Sequence, residues 1–312
     1  MSESPVAQAN VAARPRILIV GNAGQLGREL ERIFAGAGSI TAVDRETIDL
    51  SDPEQARGLV RRVAPHLILN AAAYTAVDRA QSEPALAHAI NSQVPRILAE
   101  EAKALGALLV HYSTDYVFDG SKSAPWVESD TPNPLNVYGS SKLEGELEVE
   151  SVGGGYLIFR TSWVYGPHGN NFLLTMLRLA RERDRLTIVD DQVGAPTTSI
   201  ALASATYVVV SGILAGRFGE AQDWAGLYHM TCAGAVSWFG FARAIFTRAR
   251  AELGVTAPEL VPISSQDYPT PALRPRNSVL SNAKLQARFG IALPPWESAL
   301  DEVLKALKAQ NG

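Results

Sequence analysis

Cysteine is nearly missing from this chain: Cys232 stands alone, so neither an internal disulfide nor a cysteine–zinc cluster can form. Redox and thiolate–metal chemistry are disfavoured, and a reducing, cytoplasmic setting is the expectation that fits. Basic runs are missing as well. No Lys or Arg run exceeds two residues, and the formal net charge is −4 with a pI near 5.8. Nothing there forms an electrostatic footprint for a polyanion, so nucleic acid is not an expected partner. No apolar stretch approaches the roughly 20 residues that a membrane span requires. The first fifteen residues, MSESPVAQANVAARP, lack the apolar core of a signal peptide. They read as a disordered leader, 1–15, outside the fold. The five histidines show no spacing that suggests a triad or a metal site; His111 reads as a strand residue and His168 as a loop residue.

What the chain does have is 46% hydrophobic against 19% charged residues, enough to bury one large domain, or a large domain with a smaller partner. From Arg16 onward, short β-branched runs alternate with amphipathic stretches: ILIV at 17–20, ITAVD at 40–44, LILN at 67–70, ALLVHYS at 107–113 and YLIFRTS at 156–162. Runs that are apolar at nearly every position suit strands covered on both faces, and the spacers are long enough for crossover helices. Asp52-Pro53 supplies an N-cap and a first-turn proline before EQARGLVRRVA, and Ser92 to Leu105 carries helical apolar spacing. The expected fold is α/β: a Rossmann-type, doubly wound parallel sheet over 16–165 that binds a dinucleotide. A smaller, mainly helical substrate lobe over 166–312 is interleaved with it. In that second half the expected helices, 170–183, 198–214, 237–253 and 296–308, are separated by Pro-rich loops.

The first strand ends in Gly21-Asn22-Ala23-Gly24-Gln25-Leu26-Gly27 and runs straight into a helix. Glycine allows the tight turn and lets the backbone approach a pyrophosphate, whose charge meets the positive end of the helix. An ordinary glycine-rich turn would look similar in isolation; its place after the first strand favours a dinucleotide site. Asp44, at the end of the second strand, is positioned for the ribose 2′-hydroxyl of NAD. Arg45 suits the 2′-phosphate of NADP, and the choice between NADH and NADPH stays open. Asp49 and Leu50 are weaker candidates beside the adenine. Small residues at the end of the third strand, Asn70 to Thr75, allow a cofactor to lie against it.

Ser113-Thr114-Asp115 ends the fourth strand, and Tyr138-Gly139-Ser140-Ser141-Lys142 opens a helix. Tyr138 and Lys142, four apart, share a helix face. A phenol is a poor acid near neutrality, and a nearby ammonium is expected to pull its pKa down towards the working range. Thr114 is placed to hydrogen-bond the same carbonyl oxygen.

The strings GNAGQLGREL, NAAAYTAVDRAQSEP, HYSTDYVFDG, NVYGSSKLEGE, RTSWVYGPHGNNF, DDQVGAPT and YPTPALRPRNS, spread from Arg16 to near Ser278, resemble the extended short-chain dehydrogenase/reductase superfamily. They are more similar still to its dTDP-4-dehydrorhamnose reductases. The resemblance implies reduction of the C4 ketone of dTDP-4-dehydro-L-rhamnose by NADPH or NADH, with Tyr138 as proton donor. Lys142 would hold the nicotinamide ribose and depress the tyrosine pKa, and Thr114 would orient the carbonyl. It also implies a cofactor lining of Gly24, Gln25, Leu26, Asp44, Asp49, Leu50, Ala73, Tyr74, Thr75 and Tyr112. Asp115, Trp163, Asn171 and Arg276 would contact the nucleotide sugar, although Trp163 in isolation reads as a core aromatic. Some members of the family suggest Mg2+ at a subunit contact, here through Glu29, Asp190 and Asp191; acids on helix faces are usually solvated, so no metal site is expected. Monomer and homodimer both remain open. Two rivals stand beside this reading: a nucleotide-sugar 4-epimerase or dehydratase using the same residues, with Asp115 as the dehydratase acid, and a non-catalytic nucleotide-binding regulatory subunit of the same fold.

Overall fold

Alternate residues of the first strand feed two separate cores. In the computed structural model, which describes residues 14–311, Ile17 and Ile19 join one apolar cluster while Leu18 and Val20 join another. The same alternation runs through the neighbouring strands: Leu69, Val110 and Phe159 belong to the first cluster, and Ile68, Leu109 and Ile158 to the second. A strand with no polar face is stable only between two layers of helices. The strands are β1 (Arg16–Val20), β2 (Ser39–Val43), β3 (Leu67–Asn70), β4 (Leu108–Thr114), β5 (Tyr156–Thr161) and β6 (Gly226–His229). All pair in parallel, in the order β6-β5-β4-β3-β1-β2.

The longer helices are α1 (Gln25–Phe34), α2 (Pro53–Val63), α3 (Val94–Leu105), α4 (Val137–Val152), α5 (Phe172–Leu179), α6 (Ser199–Leu214), α7 (Trp238–Leu253), α8 (Ala283–Phe289) and α9 (Trp296–Asn311). On one face of the sheet α1 packs with α6; on the other lie α2, α3 and α4. The expected start of α2 is present, with Asp52 Oδ1 accepting from Glu54 N at 3.0 Å ahead of Pro53. The helix expected from Ser92 departs from its pattern. A π turn, Ala89–Gln93, precedes α3, because Pro95 has no N–H to return to the Asn91 carbonyl. That carbonyl lies against α4 instead, where a Cβ on Gly145 would sit 2.0 Å from it.

The second half is not only helical. It returns β6 to the edge of the main sheet and forms a parallel pair of its own, Arg185–Val189 with Glu259–Ile263. Pro262 inside one of these strands and Gly226 at the start of β6 hide them from a periodicity argument. Among the described residues no helix is long and apolar enough to cross a membrane, and Cys232 is buried with a free thiol. Of the leader read at 1–15, residues 1–13 lie outside the described residues.

Candidate active site

From β1 the chain steps outward to β2 and then crosses back to β3 on the opposite side, so the strand order reverses between β1 and β3. A crevice outside the carboxyl ends of these strands is where an open α/β sheet takes its ligand. Gly21 leaves β1 at φ +89°, and a Cβ there would meet Ala72 N, beyond β3, at 2.6 Å. A Cβ on Gly27 would stand 2.1 Å from the Gly21 carbonyl oxygen. Only glycine lets the loop fold this tightly against both its neighbour and its own helix. Gly21 N and Asn22 N donate to the Val43 carbonyl at 2.7 and 3.2 Å, tying the loop to β2. Gly24 caps α1 without a side chain, and no acid occupies the first turn, so the N–H groups there suit an anion. The cradle fits a dinucleotide pyrophosphate.

The remaining cofactor candidates ring this crevice unevenly. Asp44 follows β2 rather than closing it, and its Oδ1 accepts from Glu46 N at 2.9 Å and Thr47 N at 3.2 Å, which fixes the turn that exposes Arg45. Leu50 is buried beneath the exposed Asp49. Ala73 and Tyr74 are half-buried and Thr75 is exposed; Tyr74 N donates to Asn91 Oδ1 at 2.8 Å. Asn91 Nδ2 also donates to Ser141 Oγ at 2.9 Å, so this buried residue of the π turn ties the β3 loop to α4. Sequence reading passed over it, since its role arises from the π turn. Gln25 is clamped from the second half, where Asn171 caps α5 and donates Nδ2 to Gln25 Oε1 at 2.9 Å. The Tyr112 hydroxyl pairs with Thr206 at 2.8 Å inside the core; its carbonyl oxygen, not its ring, faces the site's chemistry.

Asn136 caps α4 by accepting from Gly139 N at 2.8 Å, which sets Tyr138 and Lys142 in the first turns. Tyr138 packs edge-on against Tyr116, with centroids 5.7 Å apart, and its phenol is pushed up to about 12 by burial, against the pull of the Thr114 hydroxyl. The expected lowering by Lys142 is therefore not what this structure has. Lys142 Nζ instead donates to the Tyr112 carbonyl at 2.6 Å and lies 3.2 Å from His111 Nε2, and burial pulls it down to about 8. Sequence spacing places the two on one face but cannot register the desolvation that dominates both.

Asp115 is enclosed beside them. Thr114 Oγ1 donates to its Oδ1 and Ser162 Oγ to its Oδ2, both at 2.9 Å, yet burial raises its carboxyl to about 6. An unfolded aspartate titrates near 3.9. Between about pH 4 and 6 the folded chain binds the extra proton, so stability falls as pH rises through that window and stays lower above it, by about 3 kcal/mol. Asp115→Asn is expected to raise the unfolding midpoint at pH 7.5 and to change it little at pH 4; equal effects at both pH values in urea titrations would contradict this.

Trp163 adopts φ +48°, a left-handed conformation rare for a bulky residue, and its ring stacks on Trp238 at 3.4 Å. Beyond it is a cavity of about 570 Å³ bordered by Phe172, Trp238 and Tyr268 together with Arg183, Arg185 and Arg274. Arg274 holds Asp78 bidentately, at 2.8 and 3.2 Å, and interacts with the Tyr116 hydroxyl, which joins this cavity to the tyrosine pair. Arg276 turns an exposed side chain outward and contributes its carbonyl to Val193 N at 2.8 Å. The motif LRPRN offers two arginines, and only the fold distinguishes them. Glu29 pairs with Arg32 at 2.8 Å, Asp190 accepts from Ser237 Oγ, and Asp191 accepts from Ser265 N and Oγ at 2.8 Å. Among the described residues no three His, Cys, Asp or Glu side chains cluster as metal ligands would.

A parallel sheet with a glycine cradle at its switch point and, in the first turns of a later helix, a Tyr-x-x-x-Lys pair whose lysine is buried defines the short-chain dehydrogenase/reductase class. Sequence comparison narrows the class: a model described as the RmlD substrate binding domain matches residues 15–309, and the chain belongs to that family. A dTDP-4-dehydrorhamnose reductase of Burkholderia thailandensis is 47% identical over 95% of this chain and all of its own length. The crystal structure of a dTDP-4-dehydrorhamnose reductase from Clostridium acetobutylicum superposes with TM-score 0.85 at 37% identity, over 94% of this chain and 99% of that one. The Bacillus anthracis dTDP-4-dehydrorhamnose reductase, solved in complex with NADP, gives 0.84 at 35% identity over 93% and 98%.

Proposed function

We propose that this chain reduces the C4 ketone of dTDP-4-dehydro-L-rhamnose to dTDP-L-rhamnose, using NADPH or NADH, in the cytoplasm. The observation that carries the reading is Tyr138: a protonated phenol that packs edge-on against Tyr116 and feels the Thr114 hydroxyl, while Tyr116 in turn meets Arg274 of the arginine-bordered cavity. Residues 16–165 supply most of the cofactor side, and 166–312 most of the substrate side.

The Gly21–Gly27 loop would hold a nicotinamide cofactor, with Asp44 and Arg45 at its adenosine end, and the cofactor when bound would supply the hydride that reduces the ketone carbon. The chain does the rest. Tyr138 gives its phenolic proton to the oxygen as negative charge develops there, and the Thr114 hydroxyl, turned from Asp115 Oδ1 to that oxygen, steadies it. With a pKa near 12, Tyr138 is fully protonated at neutral pH, as a donor must be. The Lys142 ammonium holds the ribose. Asp115 and Trp163 border the sugar. Arg183, Arg185 and Arg274 match a diphosphate, and Phe172, Trp238 and Tyr268 offer apolar faces for a base.

The test is to supply purified protein with the keto sugar and NADPH, or separately NADH, and to follow loss of nicotinamide absorbance together with the sugar nucleotide formed. One cofactor consumed per dTDP-L-rhamnose is the expected result and ranks the two cofactors. An altered sugar with no net cofactor consumed would replace this reading with an epimerase or a dehydratase.

A further inference from the structure

Lys142, His111 and Asn70 form a buried line: Lys142 Nζ is 3.2 Å from His111 Nε2, and His111 Nδ1 is 3.0 Å from Asn70 Nδ2. All three residues are at most 1% exposed. We propose that His111 is a positioning residue for the Lys142 ammonium and that Asn70 selects the imidazole nitrogen which accepts from it. This rests on the reading of Lys142 as the cation that holds the cofactor ribose.

The argument is one of donors and acceptors. An ammonium has three donors and no lone pair. One donor goes to the Tyr112 carbonyl at 2.6 Å, and a second meets His111 Nε2, which must then carry a lone pair. The imidazole proton therefore sits on Nδ1 and needs an acceptor at Asn70. In the amide orientation that brings Nδ2 to His111, Asn70 Oδ1 has no partner among the described residues. Turning the amide, whose oxygen and nitrogen have nearly the same shape, brings that oxygen onto Nδ1–H. The third ammonium donor stays available for a ribose hydroxyl. A cationic imidazole could not take this place beside the ammonium; burial and Lys142 both hold His111 well below the ordinary histidine range.

The other groups near Lys142 do not replace His111. Glu146, one turn further along α4, favours the ammonium but is itself bound bidentately by Arg160 of β5, at 2.9 and 2.6 Å. Asn91 of the π turn reaches Ser141 rather than Lys142, and Asp115 bears on Tyr138. Without His111, the flexible four-carbon stem keeps one protein acceptor among the described residues, the Tyr112 carbonyl.

Carbon-13-labelled lysine, titrated by NMR in the full-length chain with Lys142→Arg to assign the signal, reads this directly. In His111→Leu the Lys142 midpoint is expected to fall by about one pH unit, and the alkaline limb of kcat/KM to fall with it. His111→Gln, whose amide oxygen accepts, is expected to restore both. A purely structural role would lower the unfolding midpoint of His111→Leu without moving the Lys142 titration, and that outcome overturns the proposal. Should His111→Leu not fold, Asn70→Ala is read in its place: its midpoint is expected to fall in the same direction, and an unmoved midpoint overturns the proposal. Failure of the wild-type chain to reduce the keto sugar would strike the reductase reading alone, since the lysine titration does not depend on turnover.

Discussion

Tyr138→Phe is expected to lower turnover of the keto sugar by roughly 10²–10⁴-fold, the usual contribution of a positioned general acid. The substitution is well suited to isolating the proton. The Tyr138 ring keeps its edge-on contact with Tyr116 at 5.7 Å, and only the hydroxyl facing Thr114 disappears. Loss of a hydroxyl whose partner can bond elsewhere costs little stability, so the unfolding midpoint should hold. NADPH affinity should hold as well, because the Gly21–Gly27 cradle and Lys142 are untouched. Steady-state kinetics alongside fluorescence titration of NADPH check both halves. Near-normal turnover would remove Tyr138 from the role of acid.

The second large effect is on folding. Arg160 and Glu146 form a bidentate pair between β5 and α4, with side chains 4% and 2% exposed, and the guanidinium also lies 5.0 Å from the centre of the Phe118 ring. Arg160→Met leaves a carboxylate buried without its counter-ion, which costs about 3–5 kcal/mol. Replacing both charges, as Arg160→Met with Glu146→Leu, is expected to recover most of that loss, because the desolvation of Glu146 is then removed too. Urea unfolding of the two variants decides the matter. A cost under about 1 kcal/mol for the single variant would mean that the pair is not sealed from water in solution.

Five of the six sheet strands are legible in the sequence from short, mostly apolar runs, nearly continuous where both faces are buried, LILN at 67–70 being the plainest, whereas the edge strand β2 buries only Val43. β6 is not legible: Gly-Leu-Tyr-His is short and starts on a glycine, and it becomes a strand only because β5 offers it a free edge. The glycine cradle, Asn136–Lys142 and the Thr114–Asp115 pair lie at local spacings, so their placement follows from local rules. Long-range packing decides the rest. Asn91 matters through a π turn that Pro95 and Gly145 together produce, and Arg274 rather than Arg276 reaches the cavity because the 268–278 segment is fastened to Asp78. The Tyr138 and Lys142 pKa values are the clearest case, since helical spacing names the neighbours while burial sets the direction of both shifts.

The most direct test of the account is to supply the keto sugar with NADPH carrying deuterium at the transferable position of the nicotinamide, and to locate the label in the sugar nucleotide by NMR. Direct reduction at the Tyr138 site predicts one deuterium at C4 of the rhamnosyl product and none elsewhere. A product free of deuterium, formed while the labelled cofactor stays intact, would contradict the reductase account.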